Sequence, residues 1–282
     1  MANNQGQKAI LITGCSSGIG LCAALTLHQR GYRVIATVRR DEDRSPLVDA
    51  GIEHVLLLEM RSSSDIERVV SEVVAITNGK LFALFNNAAY GLPGAVEDLT
   101  RDALRHQFES NLFGTHELTV KLLPYFLKLD DARIIQNSSV LGFTAMPMRG
   151  AYNASKFALE GLTDTLRIEL TDTNVKVVLI EPGPITSNFR KNALAAMQEH
   201  IDFSKSRHEE LYSYALERLN KVGPASKFTL PASAVVDKLI HALESKRPKA
   251  RYFVTFPTYL MALLNIVLPV RWMDRFLLRV SR

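Results

Sequence analysis

KAILITGCSSGIG, Lys8–Gly20, is the stretch that decides how this chain folds. Its first six residues are a short apolar run and read as a buried strand. The glycine-rich turn TGCSSGIG, Thr13–Gly20, follows at once. Leu21–Arg30 then reads as a helix closed by Gly31, and Tyr32–Val38 as the next strand. Strand, glycine turn, helix and strand within about 30 residues form a phosphate-binding unit. Gly14, Gly18 and Gly20 let a pyrophosphate approach the backbone. Ser16, Ser17 and Ile19 complete the loop, and the helix N-terminus offers free N–H groups and a favourable dipole.

The end of the second strand selects the dinucleotide. An acid there binds a ribose 2′-hydroxyl and repels a 2′-phosphate. The sequence is instead Thr37-Val38-Arg39-Arg40, and guanidiniums suit a phosphate ester. NADP(H) is expected over NAD(H), with Arg39 the preferred ligand. Asp41, Glu42 and Asp43 are available to pair with these arginines instead.

Downstream, strands and helices alternate. His54–Leu58, Leu81–Phe85, Arg133–Asn137 and Val175–Ile180 read as strands, and Tyr252–Thr255 as a weaker one. Ser64–Thr77, Thr100–Lys128, Ala151–Leu170 and a segment near Ala232–Glu244 read as helices. Continuous apolar strands argue for a parallel sheet covered on both faces. The expected architecture is a single doubly wound α/β domain of Rossmann type, 1–282, with about seven strands. Asn111 falls inside the long helix 100–128, where asparagine is a poor residue. It is either a tolerated surface residue or the mark of a local distortion.

Bulk properties fit this picture. The chain has 282 residues, 47% hydrophobic and 22% charged, ordinary for a globular domain. Cys15 and Cys22 are read as small packed side chains, in keeping with a reducing, cytoplasmic setting. The polar start MANNQGQK has no apolar signal region, and no apolar run reaches the ~18 residues of a spanning helix. The net charge of +5 is uneven: residues 246–282 carry eight basic side chains against Asp274 alone. The main body has no basic stripe with interleaved aromatics, so no nucleic-acid partner is expected. The seven histidines show no paired ligand spacing, so no metal is expected.

Ser139–Lys156, SVLGFTAMPMRGAYNASK, holds a second chemical signal. Tyr152 and Lys156 lie one helical turn apart, and an ammonium beside a phenol favours the phenolate. A tyrosine lowered toward neutrality can exchange a proton at working pH. Taken alone, such a pair is usually a core tyrosine beside a surface lysine.

Together these stretches resemble the short-chain dehydrogenases/reductases across nearly all of residues 8–184. The resemblance is closest to the 17β-hydroxysteroid and retinol dehydrogenase branch and extends to bacterial NADP-dependent aldehyde reductases. TGCSSGIG resembles the family's cofactor loop. Asn86-Asn87-Ala88-Ala89 resembles its Asn-Asn-Ala-Gly stretch, with Ala89 departing from the usual glycine, and Asn87 and Ala88 are implied to border the cofactor. Asn111, Ser139, Tyr152 and Lys156 fall where the catalytic tetrad falls, with Ser139 thirteen residues before Tyr152. Pro182-Gly183 matches the turn beside the nicotinamide. Ile185, Thr186 and Ser187 follow it, and either hydroxyl can serve the nicotinamide amide. Glu59-Met60 replaces the usual adenine-contacting aspartate and its small neighbour.

The resemblance implies an oxidoreductase that interconverts a carbonyl and an alcohol. Tyr152 gives the proton and Ser139 holds the carbonyl oxygen. Lys156 lowers the Tyr152 pKa and binds the nicotinamide ribose, and Asn111 holds a water linking Lys156 to solvent. A homodimer or homotetramer through the two long helices is also implied. A non-catalytic NADP(H) sensor is the alternative, and the intact Ser139/Tyr152/Lys156 set argues against it.

Two segments are left over. Ile185–Ser226 is expected to be a lid; its Phe, Tyr and Met content suits an apolar substrate such as a long-chain aldehyde, retinoid or steroid, or equally packs the lid itself. In a C-terminal helix, Arg271, Arg275, Arg279 and Arg282 share an arc of about 80°. Trp272, Met273, Phe276, Leu277 and Val280 occupy a separate one. Such a helix lies either in a membrane interface, as a peripheral contact, or against its own body or a partner subunit.

Overall fold

The computed structural model describes residues 7–224 and 226–280. Arg282 and the first six residues lie outside them. Seven strands form one all-parallel sheet: β1 Ala9–Ile12, β2 Arg33–Val38, β3 His54–Leu57, β4 Leu81–Asn86, β5 Ala132–Asn137, β6 Val175–Glu181 and β7 Arg251–Phe253. Their order is β3-β2-β1-β4-β5-β6-β7, so the winding reverses between β1 and β4. The expected doubly wound, seven-stranded α/β domain is the observed one.

The helices are α1 Gly18–Gln29, α2 Ser45–Val48, α3 Ser63–Thr77, α4 Arg101–Phe108, α5 Gly114–Phe126, α6 Gly150–Glu169, α7 Phe189–His200, α8 Glu209–Asn220, α9 Ser233–Glu244, α10 Phe256–Val267 and α11 Val270–Val280. Two apolar layers explain the unbroken hydrophobic strands. Ile10, Ile12, Val34, Ala36 and Val178 pack with Leu27 of α1 and Leu239 and Leu243 of α9. The alternate residues Leu11, Ile35, Leu84, Ile134 and Val177 pack with Val69 and Val73 of α3 and Leu118 and Leu122 of α5. Alternate side chains reach opposite faces, so both must be apolar.

The helix expected over 100–128 is interrupted. A π turn, Glu109–Phe113, separates α4 from α5 and accommodates Asn111. Of the two readings of that asparagine, the local distortion is the observed one. The turn also lets α5 press on the loop after β3: a Cβ at Gly114 would sit 1.9 Å from the Met60 carbonyl oxygen.

A charged cluster ties the sheet's C-terminal edge to α6. Arg251, opening β7, donates to Glu160 at 2.5 Å, to Asp164 at 2.6 Å and to Glu181 at the end of β6. Glu181 is fully buried and Glu160 nearly so. Burial, and then the Glu160 charge, push the Glu181 carboxyl up to about 8 against the opposing pull of Arg251. Glu160 Oε1 and Glu181 Oε2 have no hydrogen-bond partner as carboxylates among the described residues, and a proton held between them would satisfy both.

Two outcomes follow for stability. The Glu181 carboxyl takes up a proton in the folded protein that the unfolded chain has released, so stability falls as pH rises from about 5 to 8. Melting temperature against pH should show that slope, and Glu181→Gln should flatten it. Arg251→Met leaves the buried acids without their cation and should cost about 3 kcal/mol or more in urea unfolding; an unchanged midpoint would contradict this.

Candidate active site

The C-terminal ends of β1, β2, β4, β5 and β6 open onto one cleft of ≈ 760 Å³. Ligands of open parallel sheets bind at this edge, next to the strand reversal. Gly14, Ser16, Ser17, Gly18, Ile19, Arg39, Arg40, Asn87, Ala88, Ser139, Tyr152, Lys156, Pro182, Gly183, Ile185, Thr186 and Ser187 all line it. Among the residues expected at the site, Gly20 and Asn111 alone lie behind the lining.

The glycine loop is shaped by close approach. Gly14 has φ +71°, and a Cβ there would stand 2.9 Å from Ala88 Cα. Gly18, at φ +56°, opens α1, and its Cβ would stand 2.9 Å from Ser187 Cβ. Ser17 precedes the helix without a side-chain cap, so the first-turn N–H groups keep their donor capacity toward the cleft. A glycine-lined cradle at an uncapped helix N-terminus fits the pyrophosphate of a dinucleotide.

Asparagines wire this loop to the reacting end. Asn87 Nδ2 donates to the Thr13 and Gly14 carbonyls at 2.9 and 3.1 Å. Asn137 Nδ2 donates to Asn87 Oδ1 at 2.9 Å. Lys156 Nζ in turn donates to the Asn137 carbonyl at 2.7 Å. Asn137 did not stand out in the sequence, although its place at the end of an apolar strand, like that of Asn87, was a signal. Asn153 was also overlooked. Its amide donates to Leu141 and Thr144 carbonyls at 3.0 and 2.8 Å and fixes the loop after β5.

The two arginines after β2 differ. Arg40 is committed to Asp43 at 3.0 Å and Glu42 at 2.9 Å. Arg39 makes no ion pair among the described residues. The two hydroxyls after β6 differ too: Ser187 Oγ accepts from the Phe189 amide at 3.3 Å, whereas the Thr186 hydroxyl makes no hydrogen bond among the described residues.

Tyr152 and Lys156, on α6, are buried side by side, with Lys156 Nζ 5.9 Å from the phenol ring centre. Burial pushes the Tyr152 phenol up to about 12, and the neighbouring Ser139 hydroxyl opposes this. Burial draws the Lys156 ammonium down to about 8, with Glu160 one turn on pulling the other way. Both groups are withdrawn from water, desolvation is the largest influence on each, and the ammonium donates to the Asn137 carbonyl. A phenol held this high keeps its proton at neutral pH.

Asn111 acts on the same helix from behind. Its side chain accepts from the Tyr90 amide at 3.1 Å and donates to the Tyr90 carbonyl at 2.9 Å and to Ser155 Oγ at 3.1 Å. Ser155 Oγ donates to the Tyr152 carbonyl at 2.8 Å. Phe189, at the start of α7, packs edge-on against the Tyr152 ring at 5.4 Å. Leu92, Met146, Ala193, Ala196 and Met261 extend this apolar wall. Away from the cleft floor, Cys15 is fully buried; burial pushes its thiol up to about 12, so it is inert at neutral pH.

The profile of the short chain dehydrogenase family matches residues 8–198. The chain belongs to this family. An uncharacterized oxidoreductase of Escherichia coli (strain K12), YbbO, is 41% identical over 271 residues, covering 96% of this chain and 94% of that protein. The NADPH-dependent 3-dehydrocapnine reductase of Ornithobacterium rhinotracheale is 31% identical, covering 94% of each. The crystal structure of a short-chain dehydrogenase from Streptomyces avermitilis superposes with a TM-score of 0.77 at 27% identity, covering 98% of both chains. Like its family, this short-chain dehydrogenase is an oxidoreductase acting on CH–OH groups.

The asparagine chain has a direct test. Asn87→Ala removes the amide that fixes the Thr13 and Gly14 carbonyls and leaves the Asn137 amide unpaired. It should weaken NADPH binding about tenfold or more in a fluorescence titration; an unchanged Kd would remove Asn87 from the cofactor site.

Proposed function

We propose that the protein is an NADP(H)-dependent carbonyl reductase working on an apolar aldehyde or ketone. The observation that carries this reading is the buried, neutral Tyr152 phenol with Ser139 and Lys156 around it, on the floor of the cleft that holds the glycine cradle. A protein that only binds the dinucleotide has no use for a buried proton donor.

A bound nicotinamide dinucleotide supplies the hydride. Tyr152 gives its phenolic proton to the carbonyl oxygen, so that a carbonyl, a hydride and a proton become an alcohol. Ser139 hydrogen-bonds the same oxygen and fixes its direction. Lys156, cationic below about pH 8, stabilises the phenolate that proton transfer leaves. By family resemblance it also holds the nicotinamide ribose. Thr186, with its hydroxyl uncommitted, suits the nicotinamide amide better than Ser187. The Asn111 side chain is committed to Tyr90 and Ser155, so a water relay past it would use its main chain or its remaining acceptor site.

Arg39 supports NADP(H) because, among the described residues, its guanidinium at the end of β2 makes no ion pair and senses only the charge of Glu59. The NADPH-dependent relative points the same way. The α7–α8 segment, closing over Tyr152 with Phe189, supports the lid. Its apolar wall supports an apolar substrate. Phe157, Leu162 and Ile168 of α6 and Val120 of α5 are exposed apolar side chains on the two long helices and support a homo-oligomer assembled there.

NADPH consumption across aldehydes, ketones, retinoids and steroids tests the reaction. Tyr152→Phe should lower kcat by at least about 100-fold with NADPH affinity intact; full turnover in that variant would sink the proposal. Arg39→Ala should raise KM for NADPH about tenfold or more while leaving NADH unchanged. The reduction rate should fall as pH rises through about 8, where Lys156 loses its charge.

A further inference from the structure

The segment Phe256–Val270 contains no charged residue. On α10, Phe256, Tyr259, Leu263, Ile266 and Val267 fall within an arc of about 100°. All five are exposed, Ile266 at 82%, and Val270, 75% exposed, opens α11 beyond the break at Leu268. The opposite arc holds the buried residues of α10, Thr258 and Met261, with Met261 packed against Met273 and Leu277 of α11 and beside Phe143 and Met146. A helix apolar on every side belongs in a core or in lipid, and exposed apolar patches of this extent mark interaction surfaces.

The helix α11 frames this patch. Its Met273 and Leu277 are spent on α10, so much of the apolar arc read from the sequence is an intramolecular seam. What α11 turns outward includes three arginines, Arg271, Arg275 and Arg279, against one acid, Asp274, together with Trp272, 62% exposed, whose ring lies 5.9 Å from the Arg275 guanidinium. The patch also adjoins the cleft: Pro257 and Met261 line it, and Phe256 packs on Phe228 at 5.3 Å.

We propose that the outer face of α10, edged by the arginines of α11, docks the protein on an anionic lipid bilayer. Among the described residues no helix is long and apolar enough to cross a membrane, so the pair would lie in the plane of the interface. Apolar side chains enter the acyl boundary, and the guanidiniums and the indole sit at headgroup level, where anionic phosphates match their charge. A second copy is the poorer occupant. A twofold contact through this face brings two arginine-edged helices together, and α5 and α6 offer a copy a separate apolar face. The proposal does not depend on the reaction, because docking is read without turnover.

Flotation of the full chain with phosphatidylcholine vesicles, with and without phosphatidylglycerol, tests it. Binding is expected to the mixed vesicles and to weaken with salt. Leu263→Glu with Ile266→Glu should lower binding at least about tenfold while leaving melting temperature and NADPH affinity unchanged. Arg275→Glu with Arg279→Glu should abolish the preference for the anionic lipid. Absence of binding to mixed vesicles, or equal binding by the glutamate variant, would overturn the proposal. So would a glutamate variant that loses oligomeric state in gel filtration when the parent binds no vesicle, which would assign the face to a second copy.

Discussion

Everything at the cleft hangs on the amide of one residue, Asn87. It stands at the reversal point of the sheet, where the first and fourth strands end side by side. Its nitrogen holds the Thr13 and Gly14 carbonyls, and its oxygen receives Asn137, whose main chain receives Lys156. Three strand ends and the lysine helix are thereby fixed in one frame. A side-chain network of this kind is buried enough for each bond to matter and connected enough for the parts to move together. The phosphate cradle and the proton donor keep their relative positions because one short chain of amides spans them.

Burial then sets the chemistry of what is held. Water is kept from Tyr152 and Lys156 alike, which raises the phenol and lowers the ammonium. The result is a proton donor that stays loaded at neutral pH and a cation close to its own titration point. Glu160, one turn beyond Lys156, belongs to the Arg251 cluster, so the electrostatics of the site continue into the edge of the sheet.

The fold was legible because its signals are local. The apolar strands, the glycine turn and Gly31 at the end of the first helix are written in consecutive residues. The cleft lining was legible for the same reason: strand ends in a parallel sheet share one edge. What escaped the sequence depends on depth and direction. Asn111 could be read as a distortion but not as a π turn, because the close fit of Gly114 to the Met60 carbonyl that accompanies the turn joins residues far apart in sequence. The sequence already favours Arg39 over Arg40, but which arginine the neighbouring acids take is settled only by Asp43 and Glu42 pairing with Arg40. The burial of Lys156 and Tyr152 was not legible because spacing gives proximity and not hydration. The apolar run of α10, within the amphipathic C-terminal segment 259–282, was legible as a run, but its exposed arc could not be told from its buried one because both are largely apolar.

The Arg251 cluster also bears on how the chain is made. Glu160, Asp164 and Glu181 leave the ribosome well before their common cation, which lies 91 residues beyond Glu160. During synthesis the sixth strand can pair with the fifth, but its terminal acid has nothing to neutralise it. Asp164 has Arg167 on its own helix and Glu160 has Lys156 one turn before it, but Glu181 gains a guanidinium only with β7. The strand that completes the sheet thus also supplies the buried acid's cation, and α10 and α11, which follow it in the chain, are carried by it to the rim of the cleft.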